Sequence, residues 1–132
     1  MAVQVINSEA RRQQYLLDSD RLIKNDKETF SALLRNDMNK AVLCCSLKNM
    51  SELLQKHHNR KVIVLIDEYE VPLAKAFEHG YYDQMILLIR NMFEQVLKTD
   101  DSLQFAVLTG CMRISKESIF SGLNRKFIQN TD

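Results

Sequence analysis

Two adjacent carboxylates, Asp67 and Glu68, directly follow an uninterrupted run of branched aliphatic residues, 62–66. Such a run is typical of a parallel strand covered on both faces, and parallel strands present ligand-binding residues at their carboxyl ends. Carboxylates in that position can hold Mg²⁺, and a second carboxylate can orient a water molecule for attack on a phosphate. The pattern therefore predicts an acidic edge with metal-binding chemistry.

A second apolar run, 103–108, ends at Thr109 and Gly110. Helical spacing between the two runs predicts a short helix over 72–78 and a longer one over 81–98. The two helices would form a right-handed crossover between the two strands, and strands connected in this way are parallel. Thr109 is therefore expected beside Asp67, at the same edge of the sheet.

The residues before the first strand show helical spacing. Ser8 is expected to cap a helix over about 9–18, and a second helix is expected to start near residue 25 or 26. The stretch 38–58 fits either one long helix or two short ones, with Asn49 as a candidate cap for a restart.

Composition limits the fold and the partners. The 132 residues include 45% hydrophobic residues, which is enough for the core of one domain. With 18 basic and 17 acidic residues spread along the chain, the sequence has no basic stripe for nucleic acid. No leader pattern and no membrane-length apolar run occurs, so a cytoplasmic location is expected. The predicted fold class is helix-rich α/β, with a small parallel sheet of strands near 62–66 and 103–108 packed by helices.

Three motifs stand in order in the second half of the chain. They are Asp67-Glu68-Tyr69-Glu70-Val71-Pro72-Leu73, then Leu108-Thr109-Gly110-Cys111-Met112-Arg113, then Ser118-Ile119-Phe120-Ser121-Gly122-Leu123-Asn124. With them the chain resembles the bacterial AAA-ATPase-like domain, which is related to P-loop NTPases and is often linked to PD-(D/E)XK nuclease-like regions. The resemblance covers about 46–124 and leaves residues 1–40, expected to be helical, unassigned. It implies a partial P-loop NTPase-like core in a single truncated domain.

The resemblance also implies roles at the acidic edge. Asp67 matches the Walker B aspartate that holds Mg²⁺, and Glu68 matches the carboxylate that orients the attacking water. Thr109 matches the polar residue that senses the terminal phosphate, and Arg113 is a nearby candidate charge stabiliser. Glu70 departs from the family pattern, which usually has aspartate there.

The phosphate-binding loop of such domains, G-x-x-x-x-G-K-[ST], does not occur in this sequence. Backbone N–H groups and the lysine of that loop hold the β- and γ-phosphates, so Asp67 and Glu68 have little to act on without it. The sequence therefore favours a degenerate or partial ATPase-like domain that has no autonomous ATP hydrolysis and acts through protein–protein interaction. No cofactor is expected in isolation.

Two alternatives stay open. The chain could be a Mg-nucleotide-binding half of an ATPase that another chain completes, in which case Mg-ATP binds only when the missing loop is supplied. It could instead be a small phage or mobile-element protein, derived from such an ATPase, that binds and inhibits a bacterial defence enzyme in the manner of an anti-CRISPR protein. The acidic pair also fits a plain structural role, as solvated carboxylates or as partners for Arg113 and Lys116.

The edge of the second strand is the predicted partner surface. In the usual strand order of this ATPase class, the sensor strand lies beside the P-loop strand, which the sequence lacks. Strand 103–108 is then expected to have an unpaired apolar edge, and such edges pair with other strands. A homodimer, or another protein partner at this edge, is expected rather than nucleic acid or a membrane.

Two other pairs of side chains suggest chemistry. His57 and His58 could bind a metal or a phosphate, but adjacent histidines point to different faces of a helix. A solvated helix end, where cationic side chains complement the dipole, explains them as well. Tyr81 and Tyr82 could stack on bases, but such a platform needs a basic groove, so these two are interpreted as core plus rim.

Overall fold

The computed structural model describes residues 2–67, 70–98, 102–109 and 127–129. Its elements follow in the order α1 (Ala2–Arg12), a 3₁₀ helix (Gln14–Asp18), α2 (Lys24–Leu33), α3 (Lys40–Cys44), α4 (Ser46–His58), β1 (Val62–Ile66), α5 (Glu70–Glu78), α6 (Tyr82–Lys98), β2 (Leu103–Leu108) and β3 (Phe127–Gln129). The predicted helix-rich α/β class is confirmed. In the part of the chain that the structure describes, no helix is long and apolar enough to cross a bilayer.

The first helix differs from its prediction. α1 begins at Ala2 and contains Ser8, so Ser8 is not its cap, and the end of the predicted helix is a separate 3₁₀ helix. The reason is tertiary packing: Ile6 and Ala10, one turn apart, are both buried in the core. Burial of that apolar face stabilises the helix upstream of the local cap signal.

The stretch 38–58 forms two helices, which decides between the two options that its spacing left open. The side chain of Asn39 caps α3 by accepting a hydrogen bond from the backbone N–H of Val42 at 2.9 Å. The chain then breaks at Cys45, whose backbone φ and ψ of −94° and 0° are not helical, and α4 starts at Ser46. The predicted helix cap at Asn49 is therefore wrong, because α4 starts about one turn earlier in the sequence.

Two hydrophobic clusters share α6. The first joins the N-terminal helices, and Phe30 and Leu33 of α2 are fully buried in it together with Leu16. The second lies between α6 and the sheet and comprises Phe93, Val96, Leu97, Leu103 and Ala106. Since Met92 belongs to the first cluster and Phe93 to the second, the two sides of α6 join the helical layer to the sheet. Apolar residues spread widely around α6, which is why this helix can be buried on two sides.

The strands form one parallel sheet in the order β1-β2-β3. β1 and β2 pair with Val64 opposite Ala106 and Ile66 opposite Leu108, as the predicted crossover requires. β2 also pairs in parallel with β3, through Ala106 to Leu108. The prediction that strand 103–108 has an unpaired edge is therefore wrong over these residues, because a third strand lies where none was predicted.

The coverage of β1 also differs from its prediction. Val64 and Ile66 pack against the second cluster, but Ile63 is 48% exposed and Leu65 is 74% exposed. Paired residues share a face, so Ile63 and Leu65 lie on the same side of the sheet as Phe105 and Val107. One face of the sheet is thus covered by α6, while the opposite face of β1 presents apolar side chains to solvent.

Candidate functional site

Asp67 and Thr109 lie side by side where β1 and β2 end. The backbone N–H of Thr109 donates to the carbonyl oxygen of Ile66 at 2.8 Å, which continues the β1–β2 ladder by one step. The Thr109 hydroxyl donates a hydrogen bond to Oδ1 of Asp67, and both residues are exposed. The predicted juxtaposition of these two side chains is confirmed.

The sequence produces this edge through the strands beneath it. Val64, Ile66 and Ala106 pack against α6, which fixes the two strands at the base of the site. In-register pairing of Ile66 with Leu108 then brings the next residue of each strand, Asp67 and Thr109, together. A polar pair is stable there because both side chains reach solvent just beyond the apolar strands.

The remaining candidates fall outside the described residues. Glu68 directly follows Asp67, and Arg113 lies four residues beyond Thr109, but neither belongs to the ranges given above. Within those ranges, no group of three or more His, Cys, Asp and Glu side chains is placed to hold a metal ion. The roles inferred for Glu68 and Arg113 stay predictions.

The described pair can present hard oxygen ligands to a cation. The hydrogen bond from Thr109 occupies Oδ1 of Asp67, and among the described residues no hydrogen bond is directed at Oδ2. Mg²⁺ is commonly bound through one or two carboxylates while it keeps several water molecules and takes further oxygens from phosphate groups. The edge therefore offers one anchoring carboxylate, oriented by a hydroxyl, rather than a complete cage.

The two histidines belong to a different cluster, at the end of α4. Nδ1 of His57 is 2.6 Å from Oγ of Ser19, and Nε2 of His58 is 2.8 Å from the hydroxyl of Tyr15. Arg21 also donates to the carbonyl oxygen of His57 at 3.2 Å. Burial raises the pKa of the Tyr15 phenol above its ordinary value. These contacts join α4 to the 3₁₀ helix and to the turn that follows it, and the spacing of the histidines in the sequence did not indicate them.

Comparison with known proteins assigns the chain to a protein family. Residues 4–120 match the family described as Predicted AAA-ATPase, and this match includes the helices before residue 40. An uncharacterized protein in the vnfD 5′ region of Azotobacter chroococcum mcd 1 is 30% identical in an alignment of 96 residues, and this alignment covers 67% of this chain and 19% of that relative. The chain thus matches about a fifth of the length of that relative. No solved structure matches significantly. Since the family match covers most of the chain, the chain belongs to the predicted AAA-ATPase family.

Proposed function

We propose that this chain carries the magnesium-binding half of a nucleotide site and does not hydrolyse ATP by itself. The observation that supports the proposal best is the Asp67–Thr109 pair at the carboxyl edge of two adjacent parallel strands. In P-loop nucleotidases, catalysis depends on positioning the phosphates and on neutralising charge, and a Walker B aspartate holds the metal ion. Asp67 has the position and the chemistry for that role.

The phosphate-binding part of the site would come from another segment or chain. The sequence has no G-x-x-x-x-G-K-[ST] loop, and its matched stretch is 19% of the Azotobacter relative. In a completed site, Mg-ATP would bridge the added loop and Asp67, with Glu68 orienting the attacking water and Thr109 contacting the terminal phosphate. Arg113 would stabilise charge there. The chain alone lacks the groups that hold the phosphates, so Mg²⁺ would bind weakly and ATP would add little affinity.

This proposal predicts a localised, weak metal site. Mn²⁺ favours the same oxygen ligands as Mg²⁺ and broadens nearby NMR signals, so it serves as the probe. We expect Mn²⁺ to broaden the amide signals of 66–67 and 108–109 selectively, and excess Mg²⁺ to restore them. Asp67→Asn should remove this broadening because the anchoring charge is gone. The matched control is Asp37→Asn, since Asp37 is also an exposed carboxylate but lies in a loop between helices.

Phosphate release measured on the same samples tests the second half of the proposal. We expect no ATP hydrolysis above background for the chain alone. Micromolar binding of Mg-ATP, together with hydrolysis that Glu68→Gln abolishes, would contradict the proposal. Broadening that Asp67→Asn leaves unchanged would show that the metal does not bind at this edge.

A second candidate function, self-association, is favoured by the position of β1. β1 pairs only with β2 among the described strands, so its other edge has no strand partner there. Its sequence is uncharged, and Ile63 and Leu65 are exposed beside that edge. An exposed apolar edge strand pairs readily with another strand. Two copies related by a two-fold axis could pair their β1 strands antiparallel and make one continuous sheet.

The dimer proposal predicts a strong effect of charge on β1. A lysine on an edge strand blocks further pairing, so Leu65→Lys should convert a concentration-dependent dimer into a monomer in sedimentation velocity experiments. Val5→Lys is the matched control because Val5 is 62% exposed but lies on α1, and this variant should still associate. A wild-type chain that is monomeric at every concentration would refute the proposal.

A further inference from the structure

A cavity of about 360 Å³ lies at the turn between α5 and α6. Three aromatic side chains, Phe77, Tyr81 and Tyr82, line it together with Gly80, Asp83 and Gln84. Its volume lies near the lower end of the range of ordinary ligand sites, it is open to solvent, and its lining mixes aromatic and polar groups. None of these residues belongs to the edge formed by Asp67 and Thr109.

The rings around the cavity are arranged in two contacts. Phe77 meets Tyr82 edge to face, with ring centroids 5.8 Å apart and planes at 89°. Tyr81 lies parallel to His79, with centroids 6.2 Å apart and planes at 8°. Phe77 is 74% exposed and Tyr81 is 37% exposed, so both rings offer surface to a ligand. Exposed aromatic side chains of this kind are frequent anchors at binding sites.

The turn itself brings these rings together. Gly80 has a φ of 80°, a backbone conformation that costs glycine little and other residues more. Its amide donates to the carbonyl oxygen of Phe77 at 3.4 Å, and the amide of Tyr81 donates to Ala76 at 2.9 Å. The end of α5 and the start of α6 are thereby held close, with Phe77 on one helix and Tyr82 on the other.

The charge of the lining favours a cation. Asp83 is the only charged side chain that lines the cavity within the described part of the chain. Aromatic faces attract cations through their quadrupole, and a carboxylate adds a full negative charge. The N-terminus of α6 carries about half a positive charge, which disfavours a cation. The full negative charge of the Asp83 carboxylate is larger, so the net effect favours a cation. A guanidinium group suits such a lining best, because it can stack on a ring while its N–H groups bond a carboxylate.

We propose that this cavity binds an arginine side chain of a partner protein. The guanidinium group stacks on Tyr81 and donates hydrogen bonds to the carboxylate of Asp83, while Phe77 and Tyr82 flank the aliphatic part of the side chain. A lysine ammonium group cannot stack and make a paired contact at once, so arginine is preferred. The site is independent of nucleotide chemistry and gives the chain a second, protein-directed contact.

An NMR titration of the full chain tests the proposal, with N-acetyl-arginine methylamide as the probe. We expect saturable shifts of the Gly80 amide and of the Tyr81 and Tyr82 ring signals, with a Kd of about 1–10 mM for one isolated side chain. The citrulline analogue has the same shape without the charge and should bind at least about fivefold more weakly, since the attraction to Asp83 and the rings is electrostatic. The lysine analogue should also bind more weakly.

Matched variants identify the site. Asp83→Asn and Tyr81→Leu should each weaken arginine binding by about fivefold or more, through the lost charge and the lost ring face. Asp37→Asn and Tyr15→Leu remove an exposed acid and a partly exposed ring elsewhere and should leave the Kd unchanged. Equal binding of citrulline and arginine, or a Kd that Asp83→Asn does not change, would overturn the proposal. Amide spectra of each variant serve as the control that it is folded. If Tyr81→Leu unfolds the chain, the Kd of Asp83→Asn decides the outcome.

Discussion

Replacing Phe30 by alanine is expected to lower the free energy of unfolding by about 3–5 kcal/mol. Phe30 is fully buried in the first hydrophobic cluster, which the N-terminal helices share with Met92 of α6. The substitution removes a large apolar surface from the core and leaves a cavity that its helical neighbours can fill only in part. Because a domain of this size is stable by about 5–15 kcal/mol, the loss is a large fraction of the total.

Chemical denaturation followed by circular dichroism measures this loss. Val5→Ala is the matched control, since Val5 is an apolar residue of the same helical layer but is 62% exposed. Its effect should stay within about 0.5 kcal/mol. A loss below about 1 kcal/mol for Phe30→Ala would show that the first cluster is not a close-packed core.

Replacing Asn7 by aspartate is expected to destabilise the fold by about 3 kcal/mol or more. Asn7 is 3% exposed, and its side-chain amide donates to the carbonyl oxygens of Leu33 at 2.8 Å and Arg35 at 2.9 Å. It therefore caps the C-terminus of α2, whose last carbonyl groups have no partner inside the helix. A carboxylate of the same shape would donate nothing and would place negative charge beside two carbonyl oxygens.

The same substitution predicts a pH dependence with a definite sign. Burial beside two acceptors favours the neutral acid and raises the pKa of the introduced carboxyl group above about 3.9. Stability relative to the wild type should therefore be highest at acidic pH and fall as the pH rises through the raised pKa, because the protonated acid can still donate one hydrogen bond. Chemical denaturation at several pH values measures the free energy of unfolding of the variant relative to the wild type. Asn36→Asp is the control because Asn36 is exposed. A deficit independent of pH would show that the lost donor, not the charge, causes the effect.

The local sequence pattern was sufficient to predict the strands and the helix that position the acidic edge. The runs 62–66 and 103–108 are strands with the predicted bounds, and α6 begins within one residue of its predicted start. An uninterrupted apolar run and a wide apolar helix face are each properties of neighbouring residues, so sequence alone reveals them. The parallel arrangement followed from the crossover, and with it the contact between Thr109 and Asp67.

Long-range contacts decided the features that the pattern missed. β3 is three residues long, which is too short for a strand pattern to be recognised in the sequence, so its pairing with β2 defines it. α1 extends to Ala2 because Ile6 and Ala10 meet a core made by other helices. The exposure of Leu65 likewise depends on what covers the sheet, which the apolar run cannot specify.

The sequence by itself determined the family, the two main strands and the identity of the acidic pair, because these depend on residue type and short-range order. The tertiary structure decided that β2 lies inside the sheet rather than at its edge and that one face of β1 is open. It also brought Phe77, Tyr81 and Asp83 around one cavity through a glycine turn. The physical reason is common to all three: each depends on which elements meet in space, and residue order along the chain does not specify that.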